Sequence, residues 1–189
     1  MMAQHLSPRL ETERLILRVP EPADFDACAD FLTDRERAWG FGAEENRAAA
    51  WRWFCCNLGH WAWHGYGYFT MVLKETGAAC GLTGIWNPEG WPEPEIGWVV
   101  YEGYEGKGLA LEGATRARSW AYLSLGFTTL TSNILPGNTR SEALARRMGA
   151  WFERRYENVH MGTEQLFRHP SPADLGLDPE RDGSPEVCA

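Results

Sequence analysis

A mixed α/β sheet flanked by helices is the architecture the sequence predicts, on three observations. Two apolar runs, Tyr68 to Leu73 and Ala78 to Trp86, are joined across a short turn and read as a hairpin. Glu95 to Tyr101 is a strand pattern that enters a glycine-rich turn and then a helical stretch, Leu109 to Leu123. A later strand, helix and closing strand pair follow, and helices interleaved with strands in this way imply a layered sheet.

Taken in order, Leu15, Leu17 and Val19 alternate with Arg14, Ile16 and Arg18, which predicts a first strand stopped by Pro20 and Pro22. Asp24 to Leu32 carries Phe25, Cys28, Ala29 and Leu32 at helical spacing. Glu45 to about Trp63 is a second helical stretch, rich in tryptophan, which Gly59 and Gly65 are expected to interrupt or end. The hairpin turns at Lys74 to Gly77. Pro88, Pro92 and Pro94 bracket a loop holding Trp91 before the strand at Glu95. Beyond the helix from Leu109, Thr128 to Ile134 reads as a strand and Asn138 to Met148 as a helix. Trp151 to Val159 and Gln165 to Arg168 read as the closing pair.

From His169 onward, prolines and acidic residues without periodicity predict a disordered tail, 169–189, behind one domain spanning 8–168. A chain of 189 residues suits a single domain with a sizeable core. No internal repeat is evident.

The formal net charge of −8 argues against a nucleic-acid partner, whose phosphates call for a basic face, and is compatible with a cationic substrate. Five cysteines without a C-x-x-C pair predict reduced thiols, no zinc site and a cytoplasmic location. No apolar run is long enough to span a membrane, and the N-terminus does not read as a secretion signal.

The chemistry concentrates at Glu105-Gly-Lys-Gly-Leu-Ala110. Gly106 and Gly108 let backbone N–H groups turn toward one point, and the helix starting near Leu109 adds the positive end of its dipole, so the turn suits a pyrophosphate without a metal. A P-loop would need Gly at Tyr101 and Ser or Thr at Gly108; a dinucleotide fingerprint starting at Gly106 would need Gly at Leu111.

Those six residues resemble the (Gln/Arg)-x-x-Gly-x-(Gly/Ala) signature of the GNAT superfamily of acyl-CoA-dependent N-acetyltransferases, with Glu105 departing at the first position. Further segments resemble its RimJ/RimL branch, the ribosomal-protein N-terminal acetyltransferases: Thr12 to Arg18 with Pro22-Ala-Asp24, and Asn138-Thr-Arg-Ser141 followed by Ala145, Met148 and Gly149. Ala150 stands where an aromatic residue is common. The resemblance implies the GNAT fold, with a central, mixed, mostly antiparallel, twisted sheet.

It further implies acetyl-CoA as co-substrate and direct transfer of the acetyl group to a primary amine, either a protein N-terminus or a small amine. No covalent enzyme intermediate and no metal are expected. The pantetheine arm would lie along the backbone of Trp98, Val99, Val100 and Tyr101, and the phosphates on Gly106, Lys107, Gly108, Leu109 and Ala110. Asn138 and Ser141 would stand near the thiol, with Ser141 also a catalytic candidate, although both residues equally suit a helix N-cap and first turn. Ala145 occupies the position where many members carry a tyrosine acid.

Glu95 is the candidate general base, a role that requires a pKa raised toward neutrality by burial; a solvated or ion-paired glutamate after Pro94 is the plain alternative. Of ten tryptophans, Trp86 and Trp91 are the candidates for lining an acceptor pocket. His60 and His64 have ligand-like spacing on a helix but lack a third ligand and the following Glu of the zinc-protease pattern. A homodimer is expected from the resemblance alone. Glu105 and Ala145 motivate the alternative of a non-catalytic acyl-CoA-binding or interaction module.

Overall fold

The computed structural model describes residues 8–178. Among the described residues eight strands form one sheet in the order β1-β2-β3-β4-β5-β6-β8-β7, where β1 is Arg9–Glu11, β2 Leu15–Arg18, β3 Tyr68–Leu73, β4 Ala79–Trp86, β5 Glu95–Val100, β6 Thr131–Ile134, β7 Trp151–Asn158 and β8 Gly162–Arg168. Every neighbouring pair is antiparallel except β5 and β6, which run parallel. The mixed, mostly antiparallel sheet flanked by helices is therefore as the sequence predicts.

Alternation along the strands sends side chains to two opposite cores. Leu15, Leu17, Phe69, Met71, Ile85 and Ile96 face α4 (Leu109–Ser124). Tyr68, Leu82, Trp86 and Val99 face α1 (Phe25–Thr33) and α3 (Arg47–His64). A single 3-10 turn, Pro22–Asp24, leads into α1, and the Glu21 N–H ahead of it donates to the Asp24 carboxylate at 2.8 Å. Asp24 is buried and takes two bonds from the Arg18 guanidinium, at 2.6 and 2.8 Å, and one from Thr70 at 2.9 Å, which fixes α1 to β2 and β3.

Two elements escaped the sequence pattern. Strand β1 has three residues with only Leu10 buried, and α2 (Arg35–Ala38) is a single turn capped by Asp34, whose carboxylate accepts from the N–H groups of Glu36 and Arg37. Neither is long enough to show a period. Gly59 does not interrupt α3, which starts under the Asn46 cap and runs unbroken to Gly65.

The segment from His169 is corrected as far as residue 178. His169 is buried, its backbone N–H donates to Leu130 O at 3.0 Å, Tyr122 donates to Pro170 O at 2.9 Å, and Leu175 and Leu177 pack on the α4-side core. Two apolar anchors and a buried ring outweigh the polar composition. Residues 179–189, the rest of the expected tail, lie outside the described residues. Among the described residues no helix is long and apolar enough to cross a membrane.

Candidate active site

The parallel strands β5 and β6 share one register pair, Glu95 with Thr131. Thr131 N–H donates to Pro94 O at 3.1 Å and Ser132 Oγ to Ile96 O at 2.6 Å. Toward Val100 the ladder is not continued. A cavity of about 990 Å³ lies there, walled by Trp98, Val99 and Val100 on β5, by Asn138, Ser141 and Leu144 at α5 (Thr139–Arg147), and by Arg37, Trp39, Gly40 and Phe41 around α2. A volume of this size takes a drug-sized or larger ligand.

The cavity continues onto the turn between β5 and α4 through Glu105, Gly106, Gly108, Leu109 and Ala110. Gly106 and Gly108 have φ of +73° and +78°, a region that side chains other than glycine disfavour, and a β-carbon on Gly106 would meet nothing within 4 Å. The turn is thus an open cradle of backbone. No side chain caps α4, whose N-terminal N–H groups and dipole give this end of the cavity a preference for anions. Arg14 braces the cradle from outside, donating to Lys107 O at 2.9 Å and pairing with Glu112 at 2.6 Å. These features fit the diphosphate and pantetheine of an acyl-CoA.

Two residues of the expected cofactor site turn elsewhere. Tyr101 is buried in the α1–α3 core, its hydroxyl without a hydrogen-bond partner. The Lys107 ammonium donates to Gly103 O at 2.7 Å and lies over the Tyr104 ring. Asn138 caps α5, its Oδ1 accepting from Ser141 N–H at 3.2 Å, and both residues also line the cavity, so capping and ligand contact are compatible. Ala145 is buried and presents no acid.

Glu95 is buried where β5 and β6 pair, three residues from Trp98, about 10 Å along the strand. It does not line the large cavity. Asn133 Nδ2 donates to its carboxylate at 2.6 Å, and the Trp91 indole N–H is close to the same carboxyl but outside hydrogen-bond geometry. Burial, reinforced by the negative charge of Glu164, pushes the Glu95 pKa up to about 8. Glu164 is itself buried and raised by desolvation, against hydrogen bonds from Tyr156 at 2.7 Å and Asn158 at 2.8 Å.

Tyr68 completes this cluster. Its phenol lies against Glu95, and burial followed by that carboxylate holds the phenol proton well above its ordinary pKa. Tyr68 opposes Gly84, which opposes Gly97, so the ring crosses the sheet over two glycines and brings its hydroxyl above Gly97, between Glu95 and Val99.

The two tryptophans expected at the acceptor are not at the large cavity. Trp86 is buried, stacked on His60 at 4.5 Å and 22° and packed against Tyr68 and Trp53. Trp91 lines a second, shallower pocket of about 440 Å³ with Trp63, His64 and the loop from Asn87 to Gly90. His60 holds two backbone groups: Nδ1 is 2.7 Å from Tyr66 O and Nε2 accepts from Asn87 N–H at 3.2 Å, which uses both ring nitrogens.

Sequence reasoning missed Tyr68, Asn133 and Glu164 around Glu95, and Arg37 and Trp39 to Phe41 at the cavity. Glu164 left a signal, since it shares strand parity with the buried Leu166. Tyr68 left none, because its reach depends on the register of three strands.

A family model of the acetyltransferase (GNAT) domain matches residues 14–150. An acetyltransferase from Agrobacterium tumefaciens strain C58 is 37% identical and superposes with a TM-score of 0.79 over 86% of this chain and 94% of its own. Mycobacterium smegmatis RimJ, solved in complex with CoA-disulfide, is 17% identical with a TM-score of 0.68 over 89% of this chain and 87% of its own. A ribosomal-protein-S5-alanine acetyltransferase from Vibrio fischeri is also 17% identical, with a TM-score of 0.66 over 85% and 94%. At such identities the last two speak for the fold alone.

Proposed function

The chain belongs to the GNAT acetyltransferase family, whose members transfer an acyl group from acyl-CoA, and from that premise we propose that it moves an acetyl group from acetyl-CoA directly to a primary amine. The observation that carries this reading is the continuity of one cavity from the backbone cradle at Gly106 and Gly108, along Trp98 to Val100, to Asn138 and Ser141. Bound acetyl-CoA would supply the activated acyl thioester. The residues that would hold it are Gly106, Gly108, Leu109 and Ala110 at the phosphates and the backbone of Trp98, Val99 and Val100 along the arm. Lys107 and Tyr101 contribute through backbone only, given where their side chains go.

An amine must lose its proton to act as a nucleophile, and Glu95 is the group suited to take it. With its pKa near 8, Glu95 exchanges protons close to the working pH. Its distance of about 10 Å from Trp98 along the strand favours transfer through intervening groups, and the Tyr68 hydroxyl above Gly97 stands on that route. Asn138 and Ser141 line the same cavity, which supports a role for them in orienting the groups that change charge at the thioester, with Ser141 the candidate proton donor.

The acceptor is proposed to be a protein N-terminus or a small cationic amine. The net charge of −8 favours a cation, and the fold neighbours named for acetylating ribosomal proteins favour a peptide. A cytoplasmic location and a homodimer are consistent with this reading. The test is acetyl-CoA-dependent acetylation across peptides and small amines, followed by mass. Product formation establishes the transferase; CoA binding with no product from any amine supports the reading of a non-catalytic acyl-CoA-binding module, which the buried Ala145 favours.

A further inference from the structure

The phosphate turn is electrostatically unusual. Between Glu102 and Gly108 it carries two carboxylates, Glu102 and Glu105, and one cation, Lys107, whose ammonium is spent on Gly103 O and the Tyr104 ring. Backbone N–H groups invite a diphosphate here, yet the Glu105 carboxylate, which also lines the cavity, would repel it. Arg14 touches the turn from outside but is committed to Glu112. Arg140 and Arg147 face the cavity from α5, across from the turn.

One cation on the cavity wall does reach the turn. Arg37 Nη2 donates to Glu105 Oε1, and both residues line the cavity with partly exposed side chains. Arg37 is delivered by α2, which Asp34 caps through the N–H groups of Glu36 and of Arg37 itself and which the buried Ala38 anchors. We infer that Arg37 is a cofactor-binding residue: resting on the acyl-CoA reading, it neutralises Glu105 in the free protein and gives its guanidinium to the diphosphate when the cofactor enters. The cation that the turn's own sequence omits at position 105 is thus supplied from α2, 68 residues earlier in the chain. A planar guanidinium beside a carboxylate is chemically suited to such an exchange, since phosphate oxygens match the same donor fork.

The test is calorimetry of the full chain with CoA, with pantetheine, which has the arm but no phosphates, followed by ligand-observed NMR. Arg37→Gln should weaken CoA binding by roughly tenfold or more and leave pantetheine unchanged. Glu105→Gln should tighten CoA several-fold, and the double variant should bind CoA more weakly than Glu105→Gln alone. Unchanged CoA affinity in Arg37→Gln would overturn the inference, as would equal losses for CoA and pantetheine, which would mean that α2 had merely been disturbed. A double variant equal to Glu105→Gln would also overturn it, since Arg37 would then only mask Glu105. If the wild-type protein binds neither ligand, the acyl-CoA reading itself fails and takes this inference with it.

Discussion

The hydroxyl of Tyr68 stands 2.1 Å from the point where a β-carbon on Gly97 would lie, so the missing side chain of one residue is the space the other uses to reach Glu95. Gly97→Ala should therefore cost about 1–3 kcal/mol by overpacking and displace the phenol. Chemical denaturation of Gly97→Ala, Tyr68→Phe and the double variant checks this. The double variant should recover part of the loss, because the hydroxyl is gone while ring carbons 2.9 Å from the same point remain.

Glu95→Gln should lower turnover at neutral pH by at least about 100-fold with little change in acetyl-CoA affinity. In the wild type, kcat/KM should rise with pH and level above about 8, where burial and Glu164 have placed the Glu95 pKa; the variant should lack that break. A stability effect accompanies it. The folded pKa lies above the unfolded one, so the stability contribution is complete at acid pH and is lost as pH rises through about 8. Glu95→Gln should accordingly gain stability relative to wild type across that interval, measured as Tm against pH. Wild-type turnover in the variant would remove Glu95 from the mechanism.

His169 gives the opposite sign. Arg118 Nη1 donates to His169 Nδ1 at 3.2 Å, which leaves Nε2–H to donate to Ser132 Oγ at 2.9 Å, and Ser132 in turn donates to Ile96 O on β5. Burial and the Arg118 charge lower the His169 pKa to about 3. Its contribution to stability is present above the ordinary histidine pKa and is lost as pH falls toward 3. His169→Ala should cost about 2–4 kcal/mol by leaving a cavity and removing one of the two acceptors of Arg118 Nη1, the other being Met148 O at 2.6 Å, and His169→Gln, which can accept and donate in the same places, should cost less while flattening the pH dependence. Urea titrations at several pH values measure both.

Gly108→Trp should abolish acetyl-CoA binding while the fold survives. The backbone at Gly108 has φ of +78°, a strain of about 1–2 kcal/mol for an L side chain, and the new β-carbon would lie 3.5 Å from the Arg14 guanidinium that braces the turn, so the bulky indole would distort the cradle. Circular dichroism with a binding titration separates the two effects; unchanged affinity would contradict the assignment of the turn.

Much of this was legible in the chain. The hairpin at Tyr68 to Trp86, the strand and turn from Glu95 to Ala110 and the helix behind Asn138 declare themselves through apolar period, glycine placement and a capping residue. Strand β1 and helix α2 are too short to carry a period, and α2 matters because it holds Arg37. The pairing of Arg37 with Glu105, and of Tyr68 with Glu95, depends on topology and register, which composition does not encode. The residues after Arg168 misled through their prolines and acids, whereas their anchors are His169, Leu175 and Leu177, meeting partners distant in sequence.

Every functional role proposed above depends on an acyl-CoA bound at the turn from Gly106 to Ala110. Calorimetric titration of the wild-type protein with acetyl-CoA, and in parallel with ATP and NAD, tests it most directly. Micromolar binding of acetyl-CoA alone is the expected result. Binding of ATP or NAD in its place, or no binding of acetyl-CoA, would contradict the account and leave the chain with the family's fold but not its chemistry.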